Sequence, residues 1–377
     1  MNFALTDEQE LIRRTVRDFA QTRVAPVAEE LDLEARFPYE LVAELAELGL
    51  MGLPIPEEYG GAGGDTVSYA ITIEELTRID SSVAITVAAH TSLGTMPIYL
   101  FGNEEQKREW LPKLASGEGL AAFGLTEPDA GSDAGATRTK AELRDGEWVI
   151  DGSKIFITNA GTDISACVTI TAVTGDNEIS NIIVPNGTAG YEISAPMKKL
   201  GWHASDTREL SFRDCRVPEG NLLGERGRGF RQFMEILDGG RISVASMGVG
   251  LAQGAYDLAL AYAKERKQFG KAIAEFQAIQ FQLADMATEI DAGRQLVYKA
   301  AWLKDQGKDF ALAAAQAKLY TGLLSNRVVN AALQIHGGYG FMEEFAISRL
   351  YRDQKILEIG EGTNEIQRMV IAKHLGL

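Results

Sequence analysis

Cysteine and histidine are scarce in this chain: two cysteines, Cys167 and Cys215, and four histidines stand among 377 residues. Two thiols build neither a disulfide framework nor a cysteine-based zinc site, and they suit a reducing compartment. His90, His203, His336 and His374 are scattered and no HExxH occurs, so each reads as a structural side chain and no metal is expected. Positive charge is also in deficit, with 53 acidic against 37 basic side chains and a formal charge of -16, which excludes a surface gripping nucleic-acid phosphates. The stretch Met1 to Asp18 is charged from Asp7 onward and lacks the apolar run of a signal peptide or membrane span. The expectation is a cytoplasmic protein of bacterial type with no membrane insertion. No Gly-x-Gly-x-x-Gly links a strand to a helix, so a Rossmann nicotinamide site has no support. The run Gly60 to Gly64 lacks a Lys-Ser/Thr ending and follows no strand, which makes it an interhelical loop and not a phosphate loop.

What is present is globular: 45% apolar and 24% charged residues, in a chain long enough for two or three packed units. Residues 1–120 carry a helical pattern, with a capping box from Thr6 to Gln9 and a buried helix over Ile85 to Phe101 capped by Ser81 or Ser82. Within 121–228 the periodicity changes. Glu147 to Ile150, Lys154 to Thr158, Ala166 to Val173, Ile179 to Val184 and Glu209 to Val217 are short and rich in Val, Ile and Thr. Turn signals such as Asp145-Gly146 and Asp151-Gly152 separate them, which predicts an antiparallel β domain. Over 229–377 four long helices are expected: Phe230 to Arg266, Phe276 to Gln306, Phe310 to His336 and Thr363 to His374. The class is α+β, with a helical, a β and a four-helix domain in order.

Three stretches hold candidate chemistry. Gly124-Leu125-Thr126-Glu127-Pro128-Asp129-Ala130-Gly131-Ser132-Asp133 packs hydroxyls and backbone amides where a planar heterocycle or phosphate can approach, although alone it also reads as a polar turn. Gln334 to Phe341, followed by Glu344, Arg349 and Asp353, is a second cluster whose glycines admit a ligand to the backbone. In Gly360-Glu361-Gly362-Thr363 a carboxylate sits between glycines just before a helix. Locally it reads equally as a helix cap or as a mobile base.

Together these stretches resemble the acyl-CoA dehydrogenase family. Gly124 to Ala136 and Gln334 to Asp353 match its two signatures, and Lys154 to Asn159, Glu265 to Gly270 and Tyr351 to Asp353 have counterparts in the same order over essentially the whole chain. The resemblance implies FAD held between the β domain and the C-terminal helices, with a neighbouring subunit completing the site. It assigns Phe123, Leu125, Thr126, Gly131 and Ser132 to the flavin's pyrimidine end, Phe156 to its ring face, Thr158 to the vicinity of N5, and Ile157 to the cofactor contacts as well. Arg266, Phe269, Gln277, Gln334, Ile335, Gly337 and Gly338 look like contacts to pyrophosphate and adenosine, and Thr363 and Glu365 like further FAD contacts. Ser132, Asp238, Arg241 and Gly362 resemble positions that hold the acyl-CoA.

Glu361 resembles the catalytic base that removes the α-proton while a hydride leaves Cβ for the flavin. Some branches carry the base on a C-terminal helix, and the matching position here is Gly240. Two departures stand out: Gly360 where many members have an aromatic residue, and Phe156 where many have Trp. Leu237 to Gln253, with Gly240, Ser243, Ala245 and Ser246, most resembles short-chain and butyryl-type members. No arginine stands in a dicarboxylate-binding position. The implied partner is electron-transfer flavoprotein and the implied assembly a homotetramer built by the C-terminal helices, including the small-residue run Ala311 to Ala317. A flavin oxidase or monooxygenase of the same fold, and a non-catalytic flavin- or acyl-CoA-binding subunit, are the alternatives.

Overall fold

Helix formation begins at the capping box. In the computed structural model, which describes residues 4–377, the Thr6 hydroxyl accepts the Gln9 N–H at 3.2 Å and the Gln9 amide oxygen accepts the Thr6 N–H at 3.0 Å. Met1 to Phe3 of the charged N-terminal stretch lie outside the described residues. Seven helices follow: α1 (Asp7–Phe19), α2 (Ala28–Glu34), α3 (Tyr39–Glu47), α4 (Thr66–Thr77), α5 (Ser81–Ala88), α6 (Met96–Phe101) and α7 (Glu104–Ala115). The buried helix expected over Ile85 to Phe101 is present and runs from Ser81 to Phe101, its turns widening to π-helical geometry over Ala89–Thr95 between α5 and α6. Its cap is Asp80, not Ser81 or Ser82: the Asp80 carboxylate accepts the Val83 N–H at 2.9 Å. Ser81 instead spends its hydroxyl on Asp353 at 2.6 Å. Ser81 to Phe101 is long and apolar enough to cross a membrane, yet most of it is buried within the fold, as a core helix is.

The strands are β1 (Leu120–Gly124), β2 (Lys140–Arg144), β3 (Glu147–Thr158), β4 (Ser165–Gly175), β5 (Glu178–Pro185), β6 (Tyr191–Ile193), β7 (Thr207–Pro218) and β8 (Leu222–Leu223). They form one sheet in the order β6-β7-β3-β2-β4-β5-β8, with β1 paired to β4. The sheet is mixed, which corrects the antiparallel expectation: β1 and β2 both run parallel to β4. Alternation along a strand reports which face is buried and is silent about strand direction. Asp145-Gly146 makes the expected hairpin turn, both residues having positive φ. Asp151-Gly152 does not turn the chain. It is a bulge inside β3, where the register to β7 shifts between Ile150 and Gly152.

The C-terminal part contains α8 (Gly229–Glu265), a small hairpin of β9 (Lys267–Gln268) and β10 (Lys271–Ala272), α9 (Gln277–Asp305), α10 (Ala311–His336), α11 (Ala346–Asp353) and α12 (Asn364–His374). The apolar core is continuous from α1, α3 and α4 through α8, α9 and α10, while the sheet keeps its own core around Trp148, Ile170 and Phe212. Close approach of α8 to α4 explains the small residues of α8. A Cβ at Gly250 would lie 2.3 Å from the Glu74 carbonyl oxygen, so helix backbones nearly touch there. Ser243, Ala245 and Ser246 are likewise fully buried in this packing. The run Ala311 to Ala317 also turns inward: Ala313, Ala314, Ala315 and Ala317 are buried within the chain itself.

Replacing Gly250 by Val should lower stability by about 1–3 kcal/mol through overpacking against rigid backbone. Chemical denaturation measures the loss, and an unchanged midpoint would mean that the two helices separate freely.

Candidate active site

One cavity of about 1050 Å³ opens where the sheet, α8 and the segment before α12 converge. The residues from the first signature enter it because Glu127 is pinned underneath. Fully buried Lys154 donates from Nζ to Glu127 Oε1 at 2.7 Å and to the Thr171 hydroxyl at 3.0 Å. Glu127 also accepts the N–H groups of Arg138 at 2.7 Å and Thr139 at 3.0 Å. Burial raises the Glu127 carboxyl, but Lys154 and these bonds override it and hold it at about 2, while burial brings Lys154 down to about 8. The loop over 125–139 is thereby fastened to β3, helped by the Ile155 N–H donating to Thr126 O at 2.8 Å.

The opposite wall is fastened in the same manner. Asp353 is fully buried, accepts the Trp202 N–H at 2.7 Å and the Ser81 hydroxyl at 2.6 Å, and is pushed up to about 6 by burial and by Asp80. That carboxyl draws the segment Lys199–Trp202 against α11. Arg352 grips Asp32 beside His203. Three wall residues, Phe156, Trp202 and Glu361, have positive φ of 62°, 53° and 51°. Such left-handed backbone in non-glycine residues persists only where its surroundings enforce it.

Of the residues singled out in the sequence, Phe123, Leu125, Thr126, Gly131, Ser132, Phe156, Ile157, Thr158, Arg241, Glu361, Gly362 and Thr363 line this cavity. Asp238 does not; it lies outside the wall and pairs with Arg241. Arg266, Ile335, Gly337 and Gly338 line a second cleft of about 550 Å³, where the Arg266 guanidinium stands 5.3 Å over the Tyr339 ring. Phe269, Gln277, Gln334 and Glu365 line neither space and are exposed. A single chain thus divides the candidate residues between two separate surfaces.

Glu361 is not the cap of α12. Thr363 fills that role, its hydroxyl accepting the Ile366 N–H at 3.3 Å. The Glu361 carboxylate instead rests against Gly240, where a Cβ would fall 1.9 Å from Oε2. Oε2 is buried and has no hydrogen-bond partner. Burial pushes the carboxyl up to about 7, partly countered by Lys318 and Arg241. Gln367 donates to Gly362 O at 2.9 Å and Lys318 donates to the same oxygen at 2.7 Å, which closes the loop around the carboxylate.

Sequence reasoning passed over Trp202, Lys318 and the segment Met197–Gly201. Lys318 did leave a signal: a lone charge on the stripe formed by Ala314, Ala317, Thr321 and Ser325, all fully buried.

Comparisons with known proteins agree along the chain. Residues 6–118, 122–215 and 227–376 match the N-terminal, middle and C-terminal domain models of acyl-CoA dehydrogenase. A probable acyl-CoA dehydrogenase, YngJ, of Bacillus subtilis is 54% identical over 380 residues, covering 100% of both chains. A short-chain specific acyl-CoA dehydrogenase of Clostridium acetobutylicum is 46% identical over 99% of both. Among solved structures, butyryl-CoA dehydrogenase of Megasphaera elsdenii superposes with a TM-score of 0.97 at 44% identity, with 100% of each chain covered. A chain from a structure described as the electron transferring flavoprotein of Acidaminococcus fermentans gives a TM-score of 0.97 at 44% identity, covering 100% of this chain and 99% of that one. An acyl-CoA dehydrogenase of Bacillus anthracis complexed with FAD gives 0.94 at 37% identity, covering 98% of this chain and 67% of that one.

A carboxyl that ionises near 4.5 unfolded and near 7 folded keeps its proton longer in the folded chain. Its contribution to stability is therefore full at acid pH and is lost as pH rises across that window. Glu361→Gln should raise stability at pH 8 by about 1–3 kcal/mol, with the gain shrinking toward pH 5. Melting temperatures of both proteins across pH 5–8 test this, and a variant less stable at pH 8 would contradict it.

Proposed function

Because the chain belongs to the acyl-CoA dehydrogenase family, we propose that it converts a saturated short- to medium-chain acyl-CoA to the trans-2-enoyl-CoA, with Glu361 as the base and FAD as the cofactor. The observation that carries this reading is the Glu361 carboxyl, whose Oε2 is buried without a partner and which is raised to about 7, facing a cavity whose other wall offers Phe156 and Thr158.

The residues present fit the cofactor. Phe156 is 61% exposed, a large face left open beside the hydroxyls of Thr126, Ser132 and Thr158. The indole N–H of the wall residue Trp202 is buried without a partner. In the second cleft a Cβ at Gly337 or Gly338 would meet nothing within 4 Å, so backbone is accessible there beside Arg266, a suitable donor to phosphate. Residues in that cleft would serve the FAD of a neighbouring subunit, which supports assembly into a homotetramer. Phe281, Trp302 and Met369 are exposed apolar side chains on α9 and α12 that such an assembly would cover. When bound, FAD supplies the acceptor for the hydride that leaves Cβ.

The chain's own residues do the rest. Glu361 takes the α-proton onto its carboxylate, and an acyl chain closing the cavity keeps water from competing. Gly240 leaves the space in which that carboxylate sits and has no side chain of its own, so the base cannot be carried at that position of α8 here. Ser132 and Arg241 border the cavity and would hold the CoA end, with Asp238 orienting Arg241. A Cβ at Gly360 would make ordinary contact with the Ile356 carbonyl oxygen at 3.4 Å, so a small side chain there would be tolerated beside the base. Short, butyryl-like substrates are favoured by the similarity to short-chain relatives. Electron-transfer flavoprotein is the proposed electron acceptor and the cytoplasm the proposed location.

Anaerobic bleaching of flavin absorbance by butyryl-CoA tests the activity, and Glu361→Gln should slow it by at least ~10²-fold while FAD content is retained. Bleaching at the wild-type rate would remove Glu361 from the chemistry. Rapid re-oxidation of the reduced enzyme in air would favour an oxidase instead. Light scattering should give about four times the mass of one chain, and a monomer at micromolar concentration would contradict the assembly.

A further inference from the structure

Lys318 sits on α10 with none of its surface exposed, an environment that lysine almost never occupies without a charged partner. Its Nζ donates to the Gly362 carbonyl at 2.7 Å, but Gln367 already donates to that oxygen at 2.9 Å. A neutral side chain could therefore serve the carbonyl, and the hydrogen bond alone does not account for a buried ammonium. Among the described residues no carboxylate oxygen stands at ion-pair distance from Nζ. The carboxylate that faces it most strongly is Glu361, whose own Oε2 lacks a partner.

The remaining groups around Glu361 divide clearly. From α8, Arg241 faces it, but that guanidinium is already paired with Asp238. From α4, the buried Tyr69 hydroxyl is neutral and donates to Ala88 O at 3.2 Å. Glu358, on the turn before the loop, is bound by Lys355, Asn326 and Asn364, and Glu365 at the start of α12 is paired with Arg368. Of the two cations that act on Glu361, Lys318 is thus the one whose charge is not matched by a closer anion.

We propose that Lys318 is a positioning residue of the active site, an internal counter-charge that lets Glu361 ionise out of water while tethering the adjacent backbone. The proposal rests on the reading of Glu361 as the base. A carboxylate that must lose its proton before it can accept another needs a nearby cation when solvent is withdrawn. Lys318 supplies this from behind the loop, on the side away from the cavity, since it lines none of the cavity wall.

The test compares Lys318→Gln, Lys318→Met and Lys318→Arg in the FAD-loaded protein. Rates of anaerobic bleaching by butyryl-CoA are measured from pH 5.5 to 9, beside FAD content and melting temperature. The acid limb of the wild-type profile reports ionisation of the base. With the charge removed, Gln and Met should move that limb upward by about one pH unit, an approximately tenfold loss of rate at pH 6 that recovers at high pH. Gln retains a donor for the Gly362 carbonyl, so a shift shared by Gln and Met identifies charge rather than the tether. Arg should restore the wild-type limb. A lowered melting temperature with an unmoved limb would overturn the proposal. So would failure of both neutral variants to fold, since that would assign the lysine to the core. If the wild-type protein and Glu361→Gln bleach equally, the reading of Glu361 fails instead, and the two failures are distinct.

Discussion

A single carboxylate, half-buried and with its inner oxygen Oε2 cut off from water, sets the terms for the structure around it. An anion buried without hydrogen bonds is unfavourable by several kcal/mol, so it persists only if fixed charges and a rigid loop surround it. Glu361 meets these conditions through left-handed backbone, a loop carbonyl held by Lys318 and Gln367, and the space left by Gly240. The strain and burial concentrated there are offset by the continuous core joining α4, α8 and α10.

The cavity walls rest on buried charges of their own. Lys154 with Glu127 fastens the first signature to β3, and Asp353 fastens the Trp202 segment to α11 and α5. In the first case the motif that stands out in the sequence contains both a side of the cavity and the ionic support beneath it; in the second it contains the support, and the Trp202 segment held by that support lies outside it. Thr126 and Ser132 face the open space, while Glu127 between them points into the protein. Single breaks in such pairs leave an uncompensated buried charge, so the supports are as constrained as the wall.

Much of the architecture was legible because it depends on local pattern. The capping box at Thr6, the long helices α8 to α10 and the β3, β4, β5 and β7 strands follow from periodicity and turn chemistry. The mixed sheet was not, since alternation is blind to strand direction, and β1, Leu-Ala-Ala-Phe-Gly, is buried along its whole length and shows no alternation to read. Asp80 caps α5 in place of the serines because it is the extended residue just before the helix, while Ser81 and Ser82 already lie within it and Ser81 reaches Asp353, 272 positions away. The Ala311 to Ala317 run, read from sequence as an assembly surface, is used within the bundle.

Sequence alone determined the order of helical, sheet and helical segments and the family resemblance, and it singled out Glu361 as a candidate, because these reside in spacing and in motifs read along the chain. Only the tertiary structure decided what surrounds that carboxylate. Lys318 lies 43 positions before Glu361, and Gly240 lies 121 before it. Their meeting depends on how α8, α10 and the loop preceding α12 pack. Linear spacing carries no record of a charge placed behind a loop or of a gap left beside it. Burial pushes the carboxyl toward neutrality and the Lys318 charge partly counters it, since electrostatic effects grow where water is excluded.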